Sequence, residues 1–123
     1  NDAVKRYPAD ETLLYHRALS WIERNNLAAH EADMKVLLAS QPDNAQYNNT
    51  LGYSILTLSD RLKTAGELID KAYKLSPEDP YILDSKGWLE FKRGNAQSGL
   101  EYLLGAFELD QDAEIAAHIG EVY

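Results

Sequence analysis

A small residue returning at a near-constant interval constrains this chain more than any other feature. Gly52 sits in Asn48-Asn49-Thr50-Leu51-Gly52-Tyr53, Gly87 in Lys86-Gly87-Trp88, Gly120 in Ile119-Gly120-Glu121, and Ala18 fills the same slot in Arg17-Ala18-Leu19. The successive separations are 34, 35 and 33 residues. Glycine inside a helix costs about 1 kcal/mol relative to alanine, so a recurring one needs a packing reason, usually the close approach of another backbone. A period near 34 is that of stacked helix-turn-helix units, which bury their apolar faces only against neighbours.

The rest of the chain divides along this period. Pro8-Ala9-Asp10, Pro42-Asp43-Asn44 and Pro77-Glu78-Asp79-Pro80 occupy equivalent places, each reading as a helix stop followed by an acidic or amide N-cap. Residues 1–8, with Val4 and Tyr7 apolar, read as the end of a preceding repeat helix, which makes the chain part of a longer protein. Residues 9–42 form a first unit, with Leu14, Ala18, Trp21 and Ile22 on one helical stripe and Asn25-Asn26 as the turn. Residues 43–77 form a second, whose second helix carries Ala65, Leu68, Ile69, Ala72 and Tyr73 at three- and four-residue spacing. Residues 78–111 form a third, opened by Pro80 at a first helical position and broken at Arg93-Gly94-Asn95. Residues 112–123 begin the first helix of a further unit.

Ser85-Lys86-Gly87-Trp88-Leu89, followed by Gly94-Asn95, Leu100-Glu101-Tyr102 and Ala106-Phe107-Glu108-Leu109-Asp110, resembles a tetratricopeptide repeat (TPR) almost residue for residue. The second unit agrees through Leu51-Gly52, Ala65, Ala72 and Leu75-Ser76-Pro77, so the resemblance covers essentially the whole chain. It implies an all-α fold, a right-handed superhelical stack of helix-turn-helix repeats (an α-solenoid), acting as a non-catalytic protein-protein interaction module. Departures from the pattern are His30 in a slot usually held by Ala, Gln111 in place of the closing Pro, and Lys86 and Glu90 where the family is apolar. Four residues apart, Lys86 and Glu90 are placed to pair along the helix.

In this family the first helix of each unit lines a concave groove. Residues three before, one after and four after the small slot share a helical face. That face holds Tyr15, Leu19 and Ile22 in the first unit, Asn49, Tyr53 and Leu56 in the second, Asp84, Trp88 and Phe91 in the third, and Ala117 and Glu121 in the last helix. Gln46, Thr50, Ser85 and Lys92 surround the row. An extended peptide would satisfy its backbone on the amides while the aromatic side chains supply contact area. Ile22, Leu56 and Phe91 equally suit packing between neighbouring helices, and the row is also open to being covered by another part of the protein. The basic clamp with which some family members hold chaperone tails needs several Lys and Asn residues on this face, where Lys92 and Asn49 stand nearly alone.

Twelve basic against twenty acidic residues leave a net charge of −8 with no cluster of Lys or Arg, which argues against a nucleic-acid or anionic-membrane surface. No apolar run reaches the roughly 18 to 20 residues of a membrane-spanning helix. His16, His30 and His118 fit no metal spacing and read as surface or packing residues, and Glu31 and Asp33 read as a solvated helix face. Asp110-Gln111-Asp112-Ala113-Glu114 lacks the glycine of a calcium loop and reads as a loop with Asp112 as N-cap. No nucleophile elbow or phosphate-cradling loop is present, so neither catalysis nor a cofactor is expected of this segment.

The motifs around Gly52 and Gly87, with Ala116-Ala117-His118-Ile119-Gly120-Glu121-Val122, most resemble bacterial repeat proteins. Several of these are periplasmic or outer-membrane-anchored lipoproteins that scaffold envelope assembly or deliver substrates to a protease, which implies a periplasmic adaptor. The alternative is self-association, because Val4 and Tyr7 at one end and Ile115, Ile119, Val122 and Tyr123 at the other read as unsheathed apolar ends.

Overall fold

The computed structural model describes residues 8–122, and among these it contains seven α-helices and no strand. They are α1 (Pro8–Glu23), α2 (Leu27–Ser40), α3 (Ala45–Leu58), α4 (Leu62–Leu75), α5 (Pro80–Lys92), α6 (Ala96–Leu109) and α7 (Ala113–Val122). Contacts are densest within the hairpins α1/α2, α3/α4 and α5/α6. Each second helix then packs on the next first helix, and the first helices α3, α5 and α7 touch in succession. This is the all-α stack of helix-turn-helix units expected from the period.

The helices start and stop for local reasons. The side chains of Asn26 and Asn44 accept hydrogen bonds from the backbone N–H groups of Ala29 (3.1 Å) and Tyr47 (3.0 Å), capping α2 and α3. Asp79 caps α5 through Tyr81 N–H (2.9 Å), with Pro80 at the first helical position where a missing N–H costs nothing. Gly94, at φ 93°, closes α5 in the left-handed conformation, and Asn25, at φ 58°, does the same after α1.

Small residues let the hairpin helices cross closely. A Cβ built on Gly87 would lie 2.8 Å from the Gly99 carbonyl oxygen, and one built on Gly99 would lie 2.7 Å from the Gly87 carbonyl oxygen. In the second hairpin a Cβ on Gly52 would meet Ile69 Cγ1 at 2.7 Å. Around these crossings Ala18, Met34, Leu37, Leu51, Ile55, Ala65, Ile69 and Leu89 form a continuous core.

Several expectations change. Residues 1–7, with Val4 and Tyr7, and Tyr123 lie outside the described residues. Pro8, read as a helix stop, is the first described residue of α1, and Asp10 lies within its first turn rather than at its cap. Proline suits either side of a helix boundary, and a carboxylate is favoured anywhere in the first turn by the helix dipole. Asp33 is buried, not solvated: Arg17 donates to it through Nε (2.9 Å) and Nη2 (2.6 Å), and Trp21 Nε1 donates at 3.0 Å. The Arg17 guanidinium holds the Asp33 carboxyl below its usual range. Glu31 pairs with Arg61 across to the next hairpin. Ile115 is fully buried, so it belongs to the core and not to an exposed apolar end.

Lys86 and Glu90 do pair, at 3.1 Å, within a partly buried network. Lys86 Nζ also donates to Asp70 (2.7 Å), Arg93 bridges Asp70 and Glu90, and Asn95 donates to Glu90 (2.9 Å). The Tyr73 and Tyr102 rings flank the ammonium, each 5.7 Å away. Two polar residues in an apolar family position are thus satisfied together, tying α4, α5 and α6.

Gly87 and Gly120 separate the packing role of the small slot from its helical cost. Gly87→Ala is expected to lose about 1–3 kcal/mol through overpacking against backbone and Leu103. Nothing lies within 4 Å of a Cβ on Gly120, so Gly120→Ala should gain up to about 1 kcal/mol. Urea unfolding of both variants checks this, and a neutral Gly87→Ala would mean the close crossing does not explain the glycine.

Candidate partner-binding groove

The first helices present residues six, three and two before the small slot, and one after it. This is the i, i+3, i+4, i+7 pattern of a single helical face. On α3 these are Gln46, Asn49, Thr50 and Tyr53. Together with Leu19 of α1, Tyr81, Asp84 and Ser85 of α5, and Glu114 of α7, they line an open cavity of about 340 Å³.

Neighbouring first helices are joined by rungs on this face. The Tyr15 hydroxyl meets Thr50 Oγ1 at 2.6 Å between α1 and α3, and His118 Nδ1 meets Asp84 Oδ1 at 2.7 Å between α7 and α5. Both rungs join the residue three before one slot to the residue two before the next. The equivalent pair between α3 and α5 is Asn49 and Ser85, and there the Ser85 hydroxyl instead donates to the Tyr81 carbonyl (3.1 Å). Asn49 is only 7% exposed, yet its Oδ1 has no hydrogen-bond partner.

His118 closes the far end of the groove. Its ring stacks on Trp88 with centroids 4.6 Å apart, and its Nε2 lies 3.1 Å from the Tyr53 hydroxyl, which donates to Glu114 Oε1 at 2.8 Å. A phenol has one proton to give. With that proton on Glu114 and Asp84 ionised, the contacts at Nδ1 and Nε2 are both satisfied when His118 carries two protons. The hydrogen bond to Asp84 raises the His118 pKa in the same sense. Burial, aided by Glu114 and Asp112, raises that of Asp84. The Tyr53 phenol is pushed upward, first by burial and then by Glu114. An Asp-His-Tyr series superficially resembles a catalytic relay, but the Tyr53 hydroxyl gives its proton to Glu114 and not to the His118 ring, so the imidazole is not placed as its base.

The expected groove residues therefore separate. Leu19, Asn49, Tyr53 and Asp84 line the cavity together. Tyr15 does not; it forms the first rung and packs on Tyr47 with centroids 5.4 Å apart. Leu56, at 6% exposed, belongs to the core and, with Lys92, borders a different cavity of about 270 Å³. Trp88 is a buttress, held between His118 and Phe91 with Lys92 Nζ 5.2 Å from its ring. On the last helix Ala117 and Glu121 are exposed, and the contacts come from Glu114 and His118 instead. The lining thus sits one turn nearer the helix N-termini than expected, because helical side chains lean that way. Tyr81, Glu114 and His118 were missed, although the six-before and two-before positions were open to counting. Among the described residues no group of three His, Cys, Asp or Glu side chains is placed to hold a metal.

Stacked helical hairpins with a concave face built from first helices define an interaction scaffold. No profile of a known protein family matches the chain. It is 44% identical over 120 residues to a TPR repeat-containing protein of Pseudomonas aeruginosa, an alignment covering 98% of this chain and 20% of that protein. The chain thus spans about a fifth of the length of this curated relative. Two solved structures share the fold: a mutant O-GlcNAc transferase of Thermobaculum terrenum (TM-score 0.85, 21% identity) and a thermophilic TPR protein of Thermus thermophilus (TM-score 0.80, 20% identity). The first match covers 94% of this chain and 22% of the transferase, the second 99% and 68%. The chain thus resembles a TPR repeat-containing protein along 98% of its own length and shares the TPR fold.

The His118 cluster makes stability depend on pH with a defined sign. His118 and Asp84 both bind their protons more tightly when folded, so their contribution falls as pH rises, for Asp84 above its ordinary 3.8 and for His118 above 6.5. The urea midpoint is expected to decline from about pH 6 to about pH 9, and His118→Gln should flatten the decline. A midpoint that rises over this range would contradict the protonated cluster.

Proposed function

We propose that this segment is a non-catalytic adaptor that holds an extended stretch of a partner protein across α1, α3, α5 and α7. TPR folds are protein-interaction scaffolds in general, and the observation that carries the finer reading is Asn49. Leaving a buried amide oxygen without a partner costs about 1–3 kcal/mol, a cost without structural return at the one place where the rung pattern lapses. With the amide turned toward the cavity that Asn49 lines, a peptide N–H delivered there would satisfy it. Leu19, 39% exposed at the rim, and the Tyr53 ring supply apolar contact beside this polar anchor. The likeness of the first-helix motifs to envelope scaffolds extends the proposal to a periplasmic adaptor, which fractionation of cells carrying the full-length protein would test.

The expected signature of Asn49→Ala is loss of binding without loss of stability. Peptides selected from a random dodecapeptide library on the immobilised chain should lose affinity for Asn49→Ala and Leu19→Glu. They should retain it for Leu13→Glu, a control at a 66% exposed position outside the cavity. The unfolding free energy of Asn49→Ala should fall no more than about 1 kcal/mol below the parent's, because no hydrogen bond to Oδ1 is removed. Selected peptides indifferent to both groove substitutions would refute the adaptor reading.

A further inference from the structure

We propose that the cavity between α3, α5 and α7 is a recognition pocket for a single basic side chain, arginine in the first place, carried by the partner segment. The inference rests on the adaptor reading and specifies its chemistry. Its first ground is the stock of acceptors. Asn49 Oδ1 is buried and unpartnered, and the Asp84 and Glu114 carboxylates border the same cavity. A guanidinium offers five N–H donors in a planar fork and no acceptor, the complement of such a wall.

Charge is the second ground. No Lys or Arg is among the described residues lining the cavity, and the charged residues there are the acids Asp84 and Glu114. Glu114 and Asp112 both act against ionisation of Asp84, so negative potential accumulates on this face. Among the described residues His118 is hydrogen-bonded to Asp84 and to the Tyr53 hydroxyl but not to Glu114, whose carboxylate accepts only from Tyr53 and is left in excess. The surrounding chain, at −8, supplies no balance and draws basic segments toward it.

Shape is the third ground. A cavity of about 340 Å³ is at the small end of ligand sites and matches one side chain better than a folded element. Tyr53 and Tyr81 border it with aromatic surface, against which a guanidinium packs favourably. The Tyr81 hydroxyl donates outward to Asp110 at 2.8 Å, so it adds no competing donor to the pocket.

The test uses the 123-residue chain and dodecapeptides selected on it from a random library. Selected sequences are expected to share an arginine at one fixed position. Replacing that arginine by citrulline, which keeps the shape and removes the charge, should weaken binding by roughly tenfold or more. Glu114→Gln, which removes the charge and keeps an oxygen to accept from the Tyr53 hydroxyl, should weaken the arginine peptide roughly threefold or more and leave the citrulline peptide unchanged. Unaltered helicity and melting temperature of Glu114→Gln complete the expected result. Peptides that depend on Asn49 but bind equally well with citrulline would overturn the basic-side-chain pocket and leave the adaptor standing. If no selected peptide depends on Asn49, both fall.

Discussion

Everything in this chain depends on how closely paired helices cross. At the Gly87–Gly99 crossing each backbone occupies the space a neighbouring Cβ would need, and Gly52 brings α3 equally near Ile69 of α4. That contact fixes the axis separation within a hairpin. The separation decides which residues reach the shared core and which are left on the concave side. The groove is therefore a by-product of packing on the opposite face of the same helices: Leu51 and Ile55 turn inward, while Asn49 and Tyr53 turn toward the cavity.

The fold was legible because its determinants are local and periodic. A small residue near every 34th position, prolines at the joins and amide or acidic caps can all be counted along the chain. Polar pairing was less legible. Asp33 lies on an apparently solvated face until Arg17 and Trp21, 16 and 12 residues away, are seen to converge on it. His118 gave no sign of its role, because its partners Tyr53 and Asp84 are 65 and 34 residues distant. Gly99 was likewise anonymous until set against Gly87.

The groove itself was half legible. The helical face is dictated by geometry, and Leu19, Asn49, Tyr53 and Asp84 line one cavity on it. Its extent differs because side chains lean toward the helix N-terminus, so the Leu56 position turns into the core while Tyr81 and Glu114 join the lining. The aromatic row after the small slot also changes meaning. Tyr53 remains at the cavity, but Trp88 spends its face on His118 and acts by holding α7 in position.

One bond in this cluster alters how the array must be thought of energetically. In an ideal solenoid each unit senses only the units beside it, and stability is a sum of single and adjacent terms, as in a one-dimensional chain. The Tyr53 hydroxyl passes over α5 to reach Glu114 and His118 on α7. That contact is a next-nearest-neighbour coupling. It links the second unit directly to the last helix, a coupling that a sum of single and adjacent terms leaves out.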